Sequence, residues 1–419
     1  MNSSFIAGAP RRADTGAQNA HLRRFPRPSS VDVRTKYASL LGTSGALHLG
    51  IFDPPGTGPV TGPCGLEAMI EIDGSMHSGS GTVLRYAVAL AALRAEPLRI
   101  RNIRARRAKP GLRPQHLQAV RACAAFCGGR LRGDEVGSRE IVFQPGRTRQ
   151  GGVFRFDIGT AGSTTMLAFT LIPLALFAEN PCRFTLTGGI FQDFAPGAFH
   201  MRDVLLAHLE AMGAQVRLRV ERPGYVPKGG GKLLLEVEPL RSPMAPLRRL
   251  EPGTPRRYRG VALASRLAEE KVAERMAARC RELLAGDVPV EVEVQQDESA
   301  LQRGAALFLG VETATGCILG ADQAGKRGRR SEAIAEFVVS SLQEDLAAGA
   351  AVDRHLADQL VLFAALAAGE TRYRIPGMTD HIESNLWLVE TMLGARPARE
   401  GNVIAIEGIG FVPQSARGS

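Results

Sequence analysis

Cysteine pairs, lysine and long apolar runs are scarce in this sequence. Its 419 residues include six cysteines and no Cys-x-x-Cys pair, which excludes the common zinc and redox spacings. Cys123 and Cys127 lie four apart on an expected helix, but no His or Cys pair stands nearby to complete a zinc site. The thiols read as reduced core residues. With no N-terminal apolar segment to direct export, the expected location is cytoplasmic. The longest apolar run, 166–178, contains Thr170 and Pro173 and falls short of the roughly 20 residues a bilayer span needs, so a soluble protein with no membrane partner is expected. Only 6 of the 52 basic residues are lysine, and the other 46 are arginine.

The chain is 44% hydrophobic and 22% charged, enough to bury the cores of two or three domains. Its net charge of +10 is unevenly spread. Residues 1–67 carry +3, Arg99–Arg113 carries +7, and the remainder holds 38 charges of each sign. Residues 1–67 are rich in Gly, Pro, Ser and Arg without a period of 2 or 3.6. This stretch is expected to be a disordered tail, or the product of a start assigned too far upstream.

From Met69 onward strands and helices alternate. Strand periodicity marks 70–73, 98–103, 141–144, 153–158, 183–187, 215–220 and 232–237, with helices expected over 82–93, 114–127, 163–178 and 201–212. The Pro- and Arg-rich stretch 239–255 reads as a linker. Beyond it lie a strand near 258–264, a charged helix over 266–284, and strands over 288–295 and 305–313. A turn, GADQAGKRGRR, precedes helices over 331–348, 353–368 and 382–393 and strands over 371–375 and 403–407. Such recurrence implies an α+β fold of repeated units.

Several segments carry candidate chemistry. The loop Asp73–Gly81 leads into a helix, where free N–H groups can cradle an anion, although taken alone it reads better as a tight structural turn. No Gly-Lys-Ser/Thr follows, so it is not a Walker A loop. Arg99–Arg113 holds seven basic residues and no acid. Arg104 and Arg107 are expected at a strand end, where guanidinium forks suit phosphate oxygens, with a solvated basic loop as the alternative. His355, Asp358 and Gln359 fall at i, i+3 and i+4, hence on one helical face. His381 stands where a strand and turn lead into a helix. A single histidine of this kind is more often structural than catalytic.

Together the stretches at 72–85, 103–116, 159–165, 224–231, 355–369 and 379–385 resemble the RNA 3′-terminal phosphate cyclase family, in order from 69 to 410. The resemblance implies three repeats, each a four-stranded sheet with two helices, forming a main domain over 68–239 plus 326–412. A smaller inserted α/β domain is expected over 240–325. It implies a ligase that uses ATP and a divalent metal, Mg or Mn, to convert an RNA 3′-phosphate to a 2′,3′-cyclic phosphate through a histidine-AMP intermediate.

The family's nucleophilic histidine falls on His381. Its nucleotide site falls on His355, Leu356, Ala357, Asp358 and Gln359, on Pro196, Phe169 and Arg85, and its substrate contacts on Arg104, Arg107, Gln115 and His116. His355 occupies a position that is often Tyr. Ser78 and Thr82 stand where the family loop has Glu and Gln, and Phe169 replaces another Gln. The metal ligands are left unassigned, because a serine hydroxyl substitutes poorly for a carboxylate. These departures motivate the alternative of a non-catalytic cyclase-like RNA-binding protein, and His381 argues against it.

Overall fold

Short strands with one apolar face, joined by helices with apolar flanks, account for most of the chain. The computed structural model describes residues 69–412, so the expectations for 1–67 lie outside the described residues. Strand β1 (Ile70–Asp73), α1 (Gly81–Arg94), β2 (Leu98–Arg101), α2 (Pro114–Cys127), β3 (Arg130–Arg132) and β4 (Ile141–Gln144) form the first unit. Its sheet runs β1-β2-β4-β3, with the first pair parallel and the others antiparallel.

The second unit comprises β5 (Gly152–Asp157), α3 (Thr164–Leu176), β6 (Cys182–Gly188), a helical stretch, β7 (Gln215–Arg222) and β8 (Gly231–Glu238). The helical stretch divides into α4 (Ala198–His200), a π-helical turn (Met201–Leu205) and α5 (Leu206–Ala211). The order β5-β6-β8-β7 repeats the first sheet's arrangement.

Next come β9 (Arg248–Arg249), β10 (Pro255–Ser265), α6 (Val272–Leu283), β11 (Val290–Asp297), β12 (Gly304–Thr313), β13 (Ile318–Ala324) and α7 (Ser331–Ala347). They are followed by α8 (Leu356–Leu366), β14 (Ala368–Arg374), α9 (Asp380–Leu393), β15 (Arg396–Glu400) and β16 (Val403–Ile409). Strand β9 pairs in parallel with β14, so the order β9-β14-β16-β15 occurs a third time. The fourth sheet, β11-β10-β12-β13, has a different order, and its segment lies in the chain between β9 and α8. The architecture is mixed α+β.

Local sequence explains the helix limits. Ser80, Ser163 and Thr379 cap α1, α3 and α9 with side-chain oxygens. Pro114 opens α2, and Gly128 closes it in the left-handed region at φ 66°. Helices α3 and α8 are buried at every position but one, Met166 and Asp358 respectively. Asp358 lies beside His381, and Met166 accepts from Arg85, as described below. Among the described residues no helix is long and apolar enough to cross a membrane.

Several elements differ from the sequence expectation. Strands β3, β9 and β15 were not marked by periodicity because they are arginine-rich edge strands with little apolar alternation. Thus the linker 239–255 contains β9, and part of the GADQAGKRGRR turn belongs to edge strand β13. The helix expected over 201–212 is broken by the π-helical turn that follows His200. Ile334, Val338 and Leu342 of α7 share a core with Leu307, Leu309 and Met276. Helix α7 therefore packs on the fourth sheet, beyond the sequence boundary at 325.

Candidate active site

The first loop is braced from several sides. His77 and Gly79 take left-handed φ values of 48° and 53°. Asp73 accepts hydrogen bonds from the Ser75 N–H (2.8 Å) and hydroxyl (2.7 Å), and Arg106 donates to the His77 carbonyl at 2.7 Å. The His77 ring lies 5.0 Å from that of Trp387 on α9. Ser78 sits with its hydroxyl 2.8 Å from that of Ser384 and donates its N–H to Ser384 Oγ at 3.1 Å. The loop is thus fastened to α9 by serine hydroxyls and a ring contact.

That fastening brings His381 to the start of α1. It is the second residue of α9, whose Thr379 cap accepts from the Ile382 N–H at 3.2 Å. Its Nδ1 lies 3.3 Å from Thr82 Oγ1 and 3.7 Å from Asp358 Oδ2, while the side chain keeps 45% exposure. The second ring nitrogen is left for an incoming group. Burial, then the Arg85 and Arg107 charges, lower the pKa of His381 below the ordinary histidine value. The positive end of the helix dipole acts in the same direction. A neutral imidazole is therefore favoured near pH 7, as a nucleophile requires.

Arg85 and Asp358 complete this centre. Arg85 is buried and donates to Thr82 Oγ1 (3.3 Å) and Met166 Sδ (3.2 Å), and burial lowers its pKa to about 10. Its Nε has no hydrogen-bond partner. Burial pushes Asp358 up to about 7, against the opposing pull of Arg85. The Asp358 backbone carbonyl accepts from Tyr86 Oη (3.1 Å) and Asn385 Nδ2 (2.9 Å), which ties α1, α8 and α9 together.

The 355–359 segment begins α8 and is held by a residue that the sequence reading did not single out. Asp353 is fully buried and accepts from the N–H groups of His355 (2.9 Å), Leu356 (2.8 Å) and Gly320 (2.9 Å). His200 Nε2 lies 3.1 Å from the same carboxylate, and the His200 and His355 rings meet edge to face at 5.8 Å. Burial raises the Asp353 pKa, but His200, His355 and the backbone donors outweigh it and hold the carboxyl far below its ordinary range. Burial opposes protonation of His200, and Asp353 overcomes it and raises the imidazole. Asp353→Ala strands these donors, so a loss of about 3–5 kcal/mol is expected in urea unfolding. A loss below about 1 kcal/mol would show that the pairing contributes little. Leu356 and Ala357 are buried, and the Gln359 side chain is buried with its Oε1 unpartnered.

The remaining predicted residues divide into those near the centre and those that brace it. His116 is buried with Nδ1 facing the Arg113 N–H at 3.4 Å, and an added Cβ at Gly81 would overlap its ring. Burial, then Arg85, Arg104 and Arg113, push its pKa well down and keep it neutral. Gln115 accepts from the Ser163 N–H at 3.0 Å, and the Pro196 carbonyl accepts from Thr165 Oγ1 at 2.9 Å. Arg104, at φ 54°, donates to the carbonyls of Lys109 and Gly111, both at 2.8 Å, so it shapes its own loop. Arg107 is exposed.

Two expectations need correction. Phe169 is buried between the rings of Tyr86 (5.5 Å) and Phe363 (5.8 Å), so it is a core contact with no polar group to offer a nucleotide. The basic segment is also less concentrated than its sequence suggests. Arg99 pairs with Glu140 at 2.8 Å and Arg101 with Glu71 at 2.9 Å, because strand alternation sends both to one face of β2. Of the cysteines, the five within the described residues are buried and free.

Comparison with known proteins identifies the family. The family model described as RNA 3′-terminal phosphate cyclase matches residues 76–398. A protein of that name from Pyrobaculum neutrophilum is 37% identical over 347 residues, which cover 82% of this chain and 99% of that protein. One from Archaeoglobus fulgidus is 39% identical over 344 residues, covering 81% and 100%. One from Methanopyrus kandleri is 36% identical over 332 residues, covering 78% and 94%. A match that spans most of the chain, with relatives aligned nearly end to end, shows that the chain belongs to the RNA 3′-terminal phosphate cyclase family of enzymes.

Proposed function

We propose that the chain uses ATP to convert an RNA 3′-phosphate into a 2′,3′-cyclic phosphate, with His381 as the covalent nucleophile. The observation that carries this reading is the exposed ring of His381, with Nδ1 beside Thr82 and Asp358 and buried Arg85 behind it. In the first step Nε2 attacks the α-phosphorus of ATP. A P–N bond forms, the α–β phosphoanhydride bond breaks, and pyrophosphate leaves. An oxygen of the RNA 3′-phosphate then attacks the same phosphorus, and the P–N bond breaks. Finally the 2′-hydroxyl attacks the 3′-phosphorus, loses its proton to solvent and expels AMP. The last step is intramolecular and gains a large effective concentration.

The residues present fit ATP as substrate. Arg85 Nε and Gln359 Oε1 are buried polar atoms without partners, and Arg107 is exposed nearby for phosphates. They do not fit a divalent ion held by protein side chains alone. Among the described residues no three His, Cys, Asp or Glu converge on one point, and the Asp73 carboxylate is engaged by Ser75 and Asn102. The fold reading that goes with this function is three repeats of the β1-β2-β4-β3 type, with Pro255–Ser265 through Ser331–Ala347 inserted in the third. A cytoplasmic location is part of the same reading.

A second reading, a non-catalytic RNA-binding relative, draws on Ser78 in place of a carboxylate. Incubation with ATP and a 3′-phosphorylated RNA separates the two. The terminal phosphate is expected to become resistant to phosphatase. An end that remains fully phosphatase-sensitive, with RNA still bound, would select the second reading.

A further inference from the structure

The loop from Asp193 to Gly197 carries a feature that the proposed chemistry does not use. Phe194 has the most exposed large apolar side chain among the described residues, at 106% against 64% for Val153. Its backbone is also in the left-handed region, at φ 68°, which is unusual for an aromatic residue. Exposure here is not looseness, because the loop is clamped on both sides of the ring. Arg329 grips Asp193 through two hydrogen bonds of 2.9 and 3.0 Å. On the other side Thr165 Oγ1 donates to the Pro196 carbonyl, and the Gly197 N–H donates to Asp322 on β13.

The clamp connects the ring to two other features. Thr165 meets Ser163 at 2.7 Å, and Ser163 donates to Gln115, the neighbour of His116 in the first turn of α2. Phe194 therefore lies on a loop tied by hydrogen bonds to Gln115, whose neighbour His116 packs against Gly81 at the start of α1. Arg329 itself belongs to the Gly325–Arg330 turn, which contains four basic residues and no acid, with Lys326, Arg327 and Arg330 exposed. Lys326 is close enough to help lower the Asp193 pKa, after the Arg329 hydrogen bond. An aromatic face held out to solvent beside a basic turn matches the way single-stranded nucleic acid is gripped, with a base stacked and phosphates neutralised.

We propose that Phe194 is a stacking platform for a base of the RNA strand leading to the 3′-phosphate, with Lys326 and Arg327 meeting the adjoining phosphates. This inference rests on the cyclase reading for the identity of the strand, but its test does not depend on catalysis. The probe is a 5′-fluorescein single-stranded RNA of about ten nucleotides with a 3′-phosphate, long enough for sites of this kind, titrated without ATP and followed by anisotropy. Phe194→Ala is expected to weaken binding about tenfold or more, and Phe194→Trp to retain it. Lys326→Ala with Arg327→Ala is expected to flatten the dependence of log Kd on log salt by about 1.4.

Binding within about twofold of wild type for Phe194→Ala, against a stacking effect of about tenfold, would overturn the platform. So would unaltered RNA binding with impaired transfer of AMP from ATP alone, which would assign the ring to adenine. Absence of RNA binding by the wild type would overturn it as well. If the wild type binds RNA, loses that affinity on Phe194→Ala, and forms no cyclic end, the platform stands and the cyclase reading fails. If cyclisation proceeds and Phe194→Ala binds normally, only the platform fails.

Discussion

His381→Ala is expected to abolish transfer of AMP from ATP to the protein, a loss of at least about 10³-fold, while leaving the fold unchanged. The size follows from chemistry. Among the described residues no other nucleophile lies against Thr82 Oγ1 and the Asp358 carboxylate, and a methyl group cannot form a P–N bond. The fold is expected to survive because the ring is 45% exposed. Surface changes of this type shift stability by about 0.5 kcal/mol or less. Labelling with α-labelled ATP, alongside a thermal melt, checks both parts. A melt that collapses would mean that the ring is structural.

Asp358→Asn is expected to reduce adenylylation by about 10²–10⁴-fold, because Asp358 decides which nitrogen of His381 carries the proton. Thr82 Oγ1 already accepts from Arg85, so its hydroxyl hydrogen is free to point at Nδ1. That arrangement leaves the proton on Nε2 and blocks attack. An ionised Asp358 favours the other tautomer, with Nδ1–H facing the carboxylate and a lone pair on Nε2. A protonated Asp358 withdraws that preference. The Asp358 pKa is raised to about 7, so the carboxylate form is gained as pH rises through that value. The His381 pKa is lowered, so the ring is already neutral there. Adenylylation is therefore expected to climb about tenfold per pH unit below 7 and to level off above it. Rapid-quench measurements from about pH 5 to 9 test this, and Asp358→Asn should remove the acid limb. A wild-type profile flat through pH 7 would contradict the tautomer role.

Much of this arrangement was legible because it rests on local signals. Pro114 opens a helix as expected, and the buried faces of α3 and α8 read as apolar runs. Arg85 was named on family resemblance, which also supplied the candidate roles of His381 and Asp358, while the convergence of the three is a matter of tertiary packing. What stayed hidden has identifiable causes. Edge strands β3, β9 and β15 lack an apolar face, so periodicity had nothing to detect. Asp353 and His200 are 153 positions apart, and no spacing rule joins them. Arg99 and Arg101 looked like part of a phosphate site because sequence adjacency hides strand alternation, which sends them to Glu140 and Glu71. Phe169 was named for the nucleotide site on resemblance alone, and its apolar ring packs in the core.

The most direct measurement is the intact mass of the wild-type protein after incubation with ATP, followed by mapping of the modified peptide. The expected result is a gain of one AMP on His381, labile to acid and stable to base as a phosphoramidate is, and released when a 3′-phosphorylated RNA is added. Cyclisation of the RNA end with no adduct at His381, or an adduct that persists in His381→Ala, would contradict the covalent role of this residue.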